Sequence, residues 1–286
     1  MELGEEPFVG SEAILRGLVR KHELRARYRS VYPDVYVTKE LVLTLHQRAH
    51  AAWLWSHRHG IIAGLTAAAL HGSKWVDDSR PIELIWPNSR RPRGLRTYDF
   101  RLRAHEYAHI GDFLVTTLER TAFDIGRHGS LNEAVARLDA LGNATGFHLD
   151  EVRRIARDHP GARGVRQLLT GLDLYDPGAA SPKERWLRLL IIRAGYPRPQ
   201  TQIPVRSPDG SQWYYLDMGW ENLKLAVEYD GDQHRVDPVR FAYDIRRLED
   251  LQTLGWTDIR VTARHPSSDV MRRVQRAWDQ RARRDC

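Results

Sequence analysis

The amino-acid sequence predicts an α/β protein, of the α+β type within each region, built from more than one compact part. Three observations support this class. Apolar residues at helical spacing alternate along the chain with short runs of β-branched and aromatic residues. The length of 286 residues suits about two domains of ordinary size. A stretch rich in Pro, Gly and Asp at residues 175–182 cannot continue a helix and marks a domain boundary.

Composition excludes several classes of protein. Hydrophobic residues make up 42% and charged residues 28% of the chain, which is the balance of an ordinary folded protein. No apolar run has the length of a membrane span, and the first residues lack the order of a signal peptide, so we expect a cytoplasmic protein without membrane contact. The single cysteine, Cys286, excludes internal disulfides and zinc fingers, so any metal must be held by oxygen or imidazole.

The positive charge of the chain favours an anionic partner. The net charge is +7 at pH 7 with neutral histidines, and the isoelectric point is about 9.7. Nucleic acid is the partner that such an excess most often serves. An arginine-rich genome would produce the same bias without such a partner, and charge by itself leaves this alternative open.

Residues 1–44 have the outline of a winged helix-turn-helix. Two short helices are predicted at 11–19 and 21–28, and the segment VYPDVYV at 31–37 is predicted to form a hairpin around a Pro-Asp turn. In such a unit the second helix contacts phosphates or base edges of DNA. The alternative is a helix face whose charges are only solvated. The candidate DNA contacts are Lys21, His22, Arg25, Arg27 and Arg29.

Residues 45–174 are predicted to form a mixed α/β region without a catalytic site. Thr66 is the expected N-cap of a helix that ends at Gly72. Helices are expected at 46–58, 66–71, 117–127, 131–141 and 149–157, and strands at 82–86, 98–103 and 113–116. Seven histidines have no carboxylate at ligand spacing and are interpreted as structural or surface residues: His46, His50, His57, His59, His71, His105 and His109.

Residues 181–286 are predicted to contain the reactive chemistry. Ser181 is the expected cap of a helix with Pro182 and Glu184 in its first turn. The alternative for Glu184 is a purely structural role, since an acid in the first turn of a helix interacts favourably with the helix dipole. Strands are expected at 213–220 and 223–230, followed by a helix that ends at Gly255 and a strand at 256–262. The predicted order is helix, hairpin, helix and strand, a mixed αβββ-like core.

Acidic residues fall on the predicted hairpin of this region. If its turn has two residues, Asp217 lies diagonally to Glu228 on one face, about 7 to 8 Å away at the backbone. Asp230 shares that face because strand side chains alternate, although a three-residue turn would break this parity.

Acids that converge in this way repel each other and lose solvation unless a cation compensates them. Oxygen ligands without cysteine suit Mg²⁺ or Mn²⁺, and such an ion activates water beside a phosphate. The alternative is a surface hairpin whose acids pair with neighbouring arginines.

The motifs of this region occur in a recognisable order. Asp217 is followed by EYDGDQH at 228–234, then by Asp244 and Arg247, then by GW at 255–256 and IRV at 259–261. Over residues 181–265 this pattern resembles the very-short-patch-repair-like branch of the PD-(D/E)XK endonuclease superfamily. The resemblance implies a restriction-endonuclease-like αβββαβ core and Mg²⁺- or Mn²⁺-dependent hydrolysis of phosphodiester bonds.

The same resemblance implies the roles of individual residues. Asp217 and Glu228 would bind the metal, and Arg247 joins the candidate DNA contacts. The implied active site consists of Glu184, Asp217, Glu228, Asp230 and His234. The superfamily's usual lysine, two residues after the second acid, is Asp230 in this chain, so the role of Asp230 stays open. His234, which titrates near neutral pH, is predicted to orient or deprotonate the attacking water; the alternative is that it only hydrogen-bonds the loop.

Three short motifs in the first 170 residues resemble the AbiEi-type antitoxins and transcriptional regulators. They are VYPDVY at 31–36, TAAALHG at 66–72 and TTLERTAFD at 116–124.

The expectation for the whole chain is a DNA endonuclease targeted by its N-terminal region. The alternatives are a DNA-binding regulator or antitoxin with an inert nuclease-like domain, and an RNA-directed nuclease. A homodimer and a toxin–antitoxin or defence-system partner are further expectations. The predicted regions are 1–44, 45–174 and 181–286.

Overall fold

The structure is a computed structural model that describes residues 3–88, 90–178, 181–230 and 238–283, with the backbone alone at 238–242. The chain divides into two compact units, Met1–Tyr175 and Asp176–Cys286. Both units mix helices and strands, so the predicted α/β class is confirmed. Residues 1–44 and 45–174 belong to one unit. No helix within the described ranges is both long and apolar enough to cross a membrane.

The N-terminal unit begins with two short helices and a three-stranded antiparallel sheet of order β1-β3-β2. Its elements are β1 (Phe8–Val9), α1 (Gly10–Leu15), α2 (Lys21–Arg27), β2 (Tyr28–Tyr32) and β3 (Val35–Thr38). The predicted helix pair and hairpin are therefore present. Asp34 in the hairpin turn accepts hydrogen bonds from the backbone N–H and the hydroxyl of Ser11, at 3.0 and 2.5 Å. The tip of the hairpin is thus held against α1.

A five-stranded sheet with surrounding helices forms the rest of this unit. Its elements are α3 (Leu45–Trp55), β4 (Ile61–Ile62), α4 (Gly64–Leu70), β5 (Ile82–Ile85), β6 (Leu95–Tyr98), β7 (Tyr107–Ile110), β8 (Phe113–Thr116), α5 (Leu118–Gly126), α6 (Leu131–Thr145), α7 (Leu149–Asp158) and α8 (Val165–Leu174). The strand order is β6-β5-β4-β8-β7. Tyr32 and Val35 of the first sheet share one apolar core with Ala49, Leu84 and Phe113. Residues 1–44 are therefore part of the core of the unit.

Some predicted details of this unit are wrong. Thr66 is not an N-cap, because α4 begins at Gly64 and the Thr66 hydroxyl accepts a hydrogen bond from Glu83 N–H at 3.1 Å. The strand expected at 98–103 lies at Leu95–Tyr98, where its pairing with β5 determines its extent. Helix α8 was not predicted. These features depend on partners distant in the sequence, which local patterns do not contain.

Two of the seven histidines illustrate the same limit. His71 is structural as expected, since its Nε2 lies 2.8 Å from the Thr116 carbonyl oxygen. His50 does have a carboxylate neighbour, because its Nδ1 lies 3.6 Å from Glu6 Oε2. This pair joins residues 44 positions apart in the chain, so a search at ligand spacing along the sequence missed it.

The C-terminal unit contains a four-stranded sheet of order β12-β11-β10-β9, with helices on both faces. Its elements are α9 (Pro182–Arg193), β9 (Gln200–Arg206), β10 (Trp213–Trp220), β11 (Leu225–Tyr229), α10 (Pro238–Thr253), β12 (Thr257–Val261) and α11 (Ser267–Ala282). Strands β9, β10 and β11 are antiparallel, and β12 runs parallel to β11. The αβββαβ order implied by the resemblance is present, with α11 added, and β9 was not predicted from the residues. Leu187 of α9 and Val270 of α11 pack on one face of the sheet, and Leu251 of α10 packs on the other.

The hairpin between β10 and β11 has a longer turn than the predicted one. The turn comprises residues 221–224, and Met218 pairs with Val227. This register brings Asp217 opposite Glu228, so the predicted diagonal arrangement is wrong. A four-residue turn changes the register by two positions, which preserves the parity of the faces. The two acids therefore still approach each other.

Candidate active site

A groove of about 300 Å³ opens where β10, β11 and α10 meet. It is lined by Asp217, Glu228 and Asp230, and by Asp244 and Arg247 of α10. The structure therefore brings three of the predicted site residues together.

Glu184, a further predicted residue, is not among the residues that line this groove. Glu184 lies in the first turn of α9, where its N–H donates to the Ser181 hydroxyl at 3.2 Å, and its charge reaches Asp217. His234 lies outside the described residues. Glu184 thus belongs to the electrostatic surroundings of the groove.

The ionisation of Asp217 depends strongly on its surroundings. Its Oδ2 accepts a hydrogen bond from the backbone N–H of Tyr229 at 2.9 Å. Burial raises the pKa of Asp217 to about 7, and the negative charges of Glu184 and Glu228 add to this rise. At neutral pH, the groups of the protein around Asp217 therefore provide too little positive charge to stabilise its carboxylate. A cation in the groove would favour the charged form.

Glu228, by contrast, is compensated by an arginine. Arg247 Nη1 donates to Glu228 Oε2 at 2.8 Å, and Arg247 Nη2 donates to Glu228 Oε1. The same Nη2 donates to the Tyr215 carbonyl oxygen at 3.2 Å. Both side chains of the pair are largely buried. Arg247, predicted as a DNA contact, is thus hydrogen-bonded inside the unit.

Asp258 and Arg260 on β12 extend this charged cluster, and the sequence interpretation assigned them no role. Arg260 pairs in register with Glu228, and its Nε donates to Asp258 Oδ2 at 3.1 Å. Asp258 Oδ1 is buried without a hydrogen-bond partner among the described residues. Burial, and then the charge of Glu228, raises the pKa of Asp258 to about 6. In the sequence, the two-residue spacing of Asp258 and Arg260 on a predicted strand indicated that their side chains share one face of the sheet.

Three aromatic rings beside the acids remain open to solvent. Trp213, Tyr215 and Tyr243 line the groove and are 56%, 59% and 43% exposed. The Arg206 guanidinium carbon lies 5.8 Å from the centre of the Trp213 ring. Exposed aromatic rings next to cations suit stacking with nucleobases. The alternation of Trp213, Tyr215 and Asp217 along β10 was the sequence signal for this shared face.

The structure also provides a lysine near the groove. Lys183 precedes Glu184 in the first turn of α9, and its Nζ lies 6.0 Å from the ring centre of Tyr229, which lines the groove. Asp230, at the position of the missing lysine, continues the strand pairing through a 2.7 Å hydrogen bond from its N–H to the Val261 carbonyl oxygen. Lys183 is therefore a candidate source of positive charge that the linear motif does not contain.

Asp217 and Glu228 are the groove residues that could hold Mg²⁺ or Mn²⁺, although both oxygens of Glu228 also accept hydrogen bonds from Arg247. Asp217 and Glu228 offer oxygen donors, which hard divalent ions prefer. Within the parts of the chain that the structure describes, no three His, Cys, Asp or Glu side chains form a metal-binding group. Mg²⁺ does not need such a group, because it is usually held by one or two carboxylates together with waters and substrate phosphates. The raised pKa of Asp217 indicates where positive charge is missing.

The predicted DNA contacts of the N-terminal unit separate into two groups. Arg29, on β2, donates from Nη2 to the Leu41 carbonyl oxygen at 2.6 Å, so its guanidinium takes part in the fold. The others are exposed on α2, and we call them the α2 surface: Lys21, His22, Arg25 and Arg27. This surface is the part of the predicted set that is open to a phosphate backbone.

A buried ionic cluster in the N-terminal unit also escaped the sequence interpretation. Arg120 is 2% exposed, and its guanidinium contacts Glu106 at 2.6 Å and Asp124 at 2.8 Å. Arg127 contacts Asp124 at 2.9 Å, and His159 Nε2 lies 2.6 Å from Glu106 Oε1. Because these charges compensate one another in the interior, the cluster has a structural role. Its sequence signal was the helical spacing of Arg120, Asp124 and Arg127.

Two curated relatives are similar to this chain. They are uncharacterized protein MT2308 of Mycobacterium tuberculosis (strain CDC 1551 / Oshkosh) and uncharacterized protein Rv2248 of Mycobacterium tuberculosis (strain ATCC 25618 / H37Rv). Each is 30% identical over 201 residues, which cover 70% of this chain and 73% of the relative. The matched stretch is longer than either unit, so the similarity extends into both. No family model and no solved structure matches the chain.

Proposed function

We propose that this chain, which belongs to the family of the two mycobacterial proteins MT2308 and Rv2248, is a Mg²⁺- or Mn²⁺-dependent endonuclease that hydrolyses phosphodiester bonds in DNA. The observation that carries the proposal is that Asp217, Glu228 and Asp230 line one groove of an αβββαβ core, with the charge of Glu184 acting on Asp217. Acids gathered in this way are costly unless they serve a cation.

Residues of the groove and of the first turn of α9 have distinct roles in this proposal. Asp217 and Glu228 would hold the metal, which when bound supplies a water of lowered pKa and neutralises charge on the leaving oxygen. The N–H of Tyr229 orients the Asp217 carboxylate. Glu184 adds negative charge that favours a cation, and Lys183 offers positive charge to the substrate phosphate.

Three features support a nucleic acid as substrate. The exposed rings of Trp213, Tyr215 and Tyr243 would stack with bases that leave their helix. The α2 surface would contact phosphates of the nucleic acid. The net charge of +7 favours association with a nucleic acid of either kind, DNA or RNA. The choice of DNA over RNA rests on the likeness of the N-terminal region to DNA-binding regulators.

One observation favours a second candidate function. Both carboxylate oxygens of Glu228 accept hydrogen bonds from Arg247, which compensates this acid without a metal. The second candidate is therefore a DNA-binding regulator or antitoxin whose C-terminal unit is catalytically inert. A toxin–antitoxin or defence-system partner, or a second copy of the chain, would belong to that function.

A cleavage assay distinguishes the two functions. Purified protein is incubated with supercoiled, linear, single-stranded and mismatched DNA, and with RNA, in Mg²⁺, Mn²⁺ or chelator, and the cut ends are sequenced. We expect cleavage of DNA that requires the divalent ion. DNA binding without cleavage in both metals would favour the regulator, and cleavage of RNA alone would contradict the choice of DNA.

DNA binding should weaken steeply with salt, because cationic side chains release counterions when they contact phosphates. Deleting residues 1–44 would expose the core that they share with α3, so substitution is the better test. We expect the double variant Lys21→Ala, Arg25→Ala to bind more weakly and to reduce the slope of log K against log salt by about 1 per lost contact. The exposed Arg157 on α7 provides the control Arg157→Ala. An unchanged slope in the double variant would exclude the α2 surface.

The predicted role of His234 is tested by the pH dependence of the rate. His234→Ala should lower the cleavage rate by about 10² to 10⁴ and flatten the acidic limb between about pH 5.5 and 8.5, since a neutral imidazole would accept or orient the proton of the water. Lys183→Met is measured beside it, and its acidic limb should remain. A wild-type rate and profile in His234→Ala would assign this histidine to structure.

A further inference from the structure

A second cavity, of about 470 Å³, lies in the N-terminal unit and has no part in the proposed nuclease chemistry. It is bordered by the start of α4, by β5 and β6, and by the end of α5. Its volume falls in the range of small-molecule pockets, roughly 300 to 1,000 Å³. Charged and aromatic side chains line it together with apolar ones.

One wall of the cavity contains an acid that is fixed in place. Glu83 is 8% exposed; its Oε2 accepts a hydrogen bond from Leu65 N–H at 2.6 Å, and its Oε1 accepts one from the Tyr98 hydroxyl at 3.1 Å. Gly64 has a φ of +58°, and a Cβ there would lie 1.9 Å from Glu83 Oε2, so this approach requires glycine. Glu83 is thereby satisfied within the protein and orients the Tyr98 hydroxyl.

Aromatic rings line the cavity next to this acid. Tyr98 and Phe100 are stacked, with ring centres 4.9 Å apart, and His128 lies against Tyr98 at 6.4 Å. His128 Nδ1 lies 2.7 Å from the Asp124 carbonyl oxygen. A carbonyl only accepts hydrogen bonds, so Nδ1 carries the proton and Nε2 of the neutral ring is an acceptor. Burial, and then the charge of Arg127, lowers the pKa of His128, which keeps the ring neutral at pH 7.

Three arginines line the same cavity. Arg137 Nη1 donates to the His128 carbonyl oxygen at 3.0 Å and its Nη2 lies 3.5 Å from Glu133 Oε1, so this side chain is anchored and its charge is compensated. Arg96, half exposed, lies 3.7 Å from Glu83. The exposed Arg80 makes no side-chain hydrogen bond or ion pair within the described part of the chain, although its charge acts on Asp77 and Glu133. Since Asp124, the other acid of the wall, is paired with Arg120 and Arg127, positive charge remains available to an anion.

We propose that this cavity binds a purine nucleoside monophosphate. Guanidinium groups match the oxygens of a phosphate in pairs, and Arg80 and Arg96 supply them. The ring edges of Tyr98 and Phe100 offer an apolar wall for a planar base. His128 Nε2 would accept a hydrogen bond from the exocyclic amine of the purine. The phosphate, the ring and the amine donor are thus each matched by a group on the wall.

Calorimetric titration of the full-length protein tests this proposal. The probes are AMP, GMP, adenosine, inorganic phosphate and benzoate at pH 7.5. We expect AMP or GMP to bind at least about tenfold more tightly than adenosine or phosphate, because each fragment retains only part of the contacts. Arg80→Ala should weaken nucleotide binding by roughly tenfold or more and leave the fold intact, since its guanidinium has no partner to lose. Arg157→Ala, an exposed arginine of the same unit, is the matched control and should bind like wild type.

The variant Trp213→Ala, in the groove of the C-terminal unit, separates the two sites. Nucleotide binding that survives Trp213→Ala and is weakened by Arg80→Ala supports the cavity. The reverse pattern would place the nucleotide in the groove and overturn the proposal. Binding of benzoate without either nucleotide, or no binding by any probe, would overturn it as well.

Discussion

On the proposed nuclease mechanism, replacing Asp217 with asparagine should strongly reduce metal-dependent cleavage, and in the absence of metal it should stabilise the protein at neutral pH. Asparagine has nearly the same shape and keeps an oxygen that can accept the Tyr229 N–H. It lacks the negative charge that would hold the divalent ion. We expect the cleavage rate to fall by about 10² to 10³ or more, the scale of losing one preorganised electrostatic group, while DNA affinity stays close to that of wild type.

The stability effect follows from the direction of the pKa shift. The pKa of Asp217 is about 7 in the folded chain and 3.8 in its ordinary state. An acid with a raised pKa contributes stability that is fully present below pH 3.8 and is lost as pH rises to about 7. The loss is at most about 4 kcal/mol, at 1.4 kcal/mol per pH unit. Asp217→Asn should therefore gain free energy of unfolding relative to wild type between pH 4.5 and 8 in chelator.

Urea unfolding with chelator and with Mg²⁺ measures both parts of this prediction. Mg²⁺ should stabilise the wild-type chain at pH 8 and should not stabilise Asp217→Asn. Asp279→Asn, which changes an exposed acid on α11, is the matched control and should cleave DNA at the wild-type rate. Undiminished cleavage by Asp217→Asn at saturating Mg²⁺ would contradict the nuclease mechanism.

Replacing Arg120 with methionine should destabilise the N-terminal unit by about 3 to 5 kcal/mol, because it leaves Glu106 and Asp124 buried without their shared cation. Burial raises the pKa of Glu106, but the hydrogen bond with His159 and the charge of Arg120 outweigh burial and lower it. A carboxyl group with a lowered pKa stabilises the folded state at pH values above its ordinary pKa of 4.5. This stabilisation is lost as the pH falls below that value. The defect of Arg120→Met should therefore shrink below about pH 4.5.

A surface ion pair provides the comparison for this variant. Arg153 contacts Asp150 at 3.2 Å, with the Asp150 side chain 96% exposed, so Arg153→Met should cost less than about 1 kcal/mol. Denaturation of the full chain, with hydrogen exchange of the α5 amides, assigns the change to the N-terminal unit. Equal costs for Arg120→Met and Arg153→Met would show that the buried cluster does not support the fold.

The sequence by itself determined the features that depend on neighbouring residues. Ser181 and Pro182 begin α9 as predicted, and the Ser181 hydroxyl accepts the N–H of Glu184. Apolar periodicity and turn residues, which depend on the local backbone, predicted the helix, hairpin, helix and strand of the C-terminal unit, while β9 was not predicted in this way. The same local information predicted the helix pair and hairpin at the N-terminus.

Tertiary structure alone decided which charged groups meet. The register that brings Asp217 opposite Glu228 depends on a four-residue turn that strand periodicity does not specify. The bidentate contact of Arg247 with Glu228 spans 19 positions, and the contact of Arg120 with Glu106 spans 14. Such contacts depend on how helices and sheets pack, and the pKa of a carboxyl group depends on the burial and the charges that this packing creates.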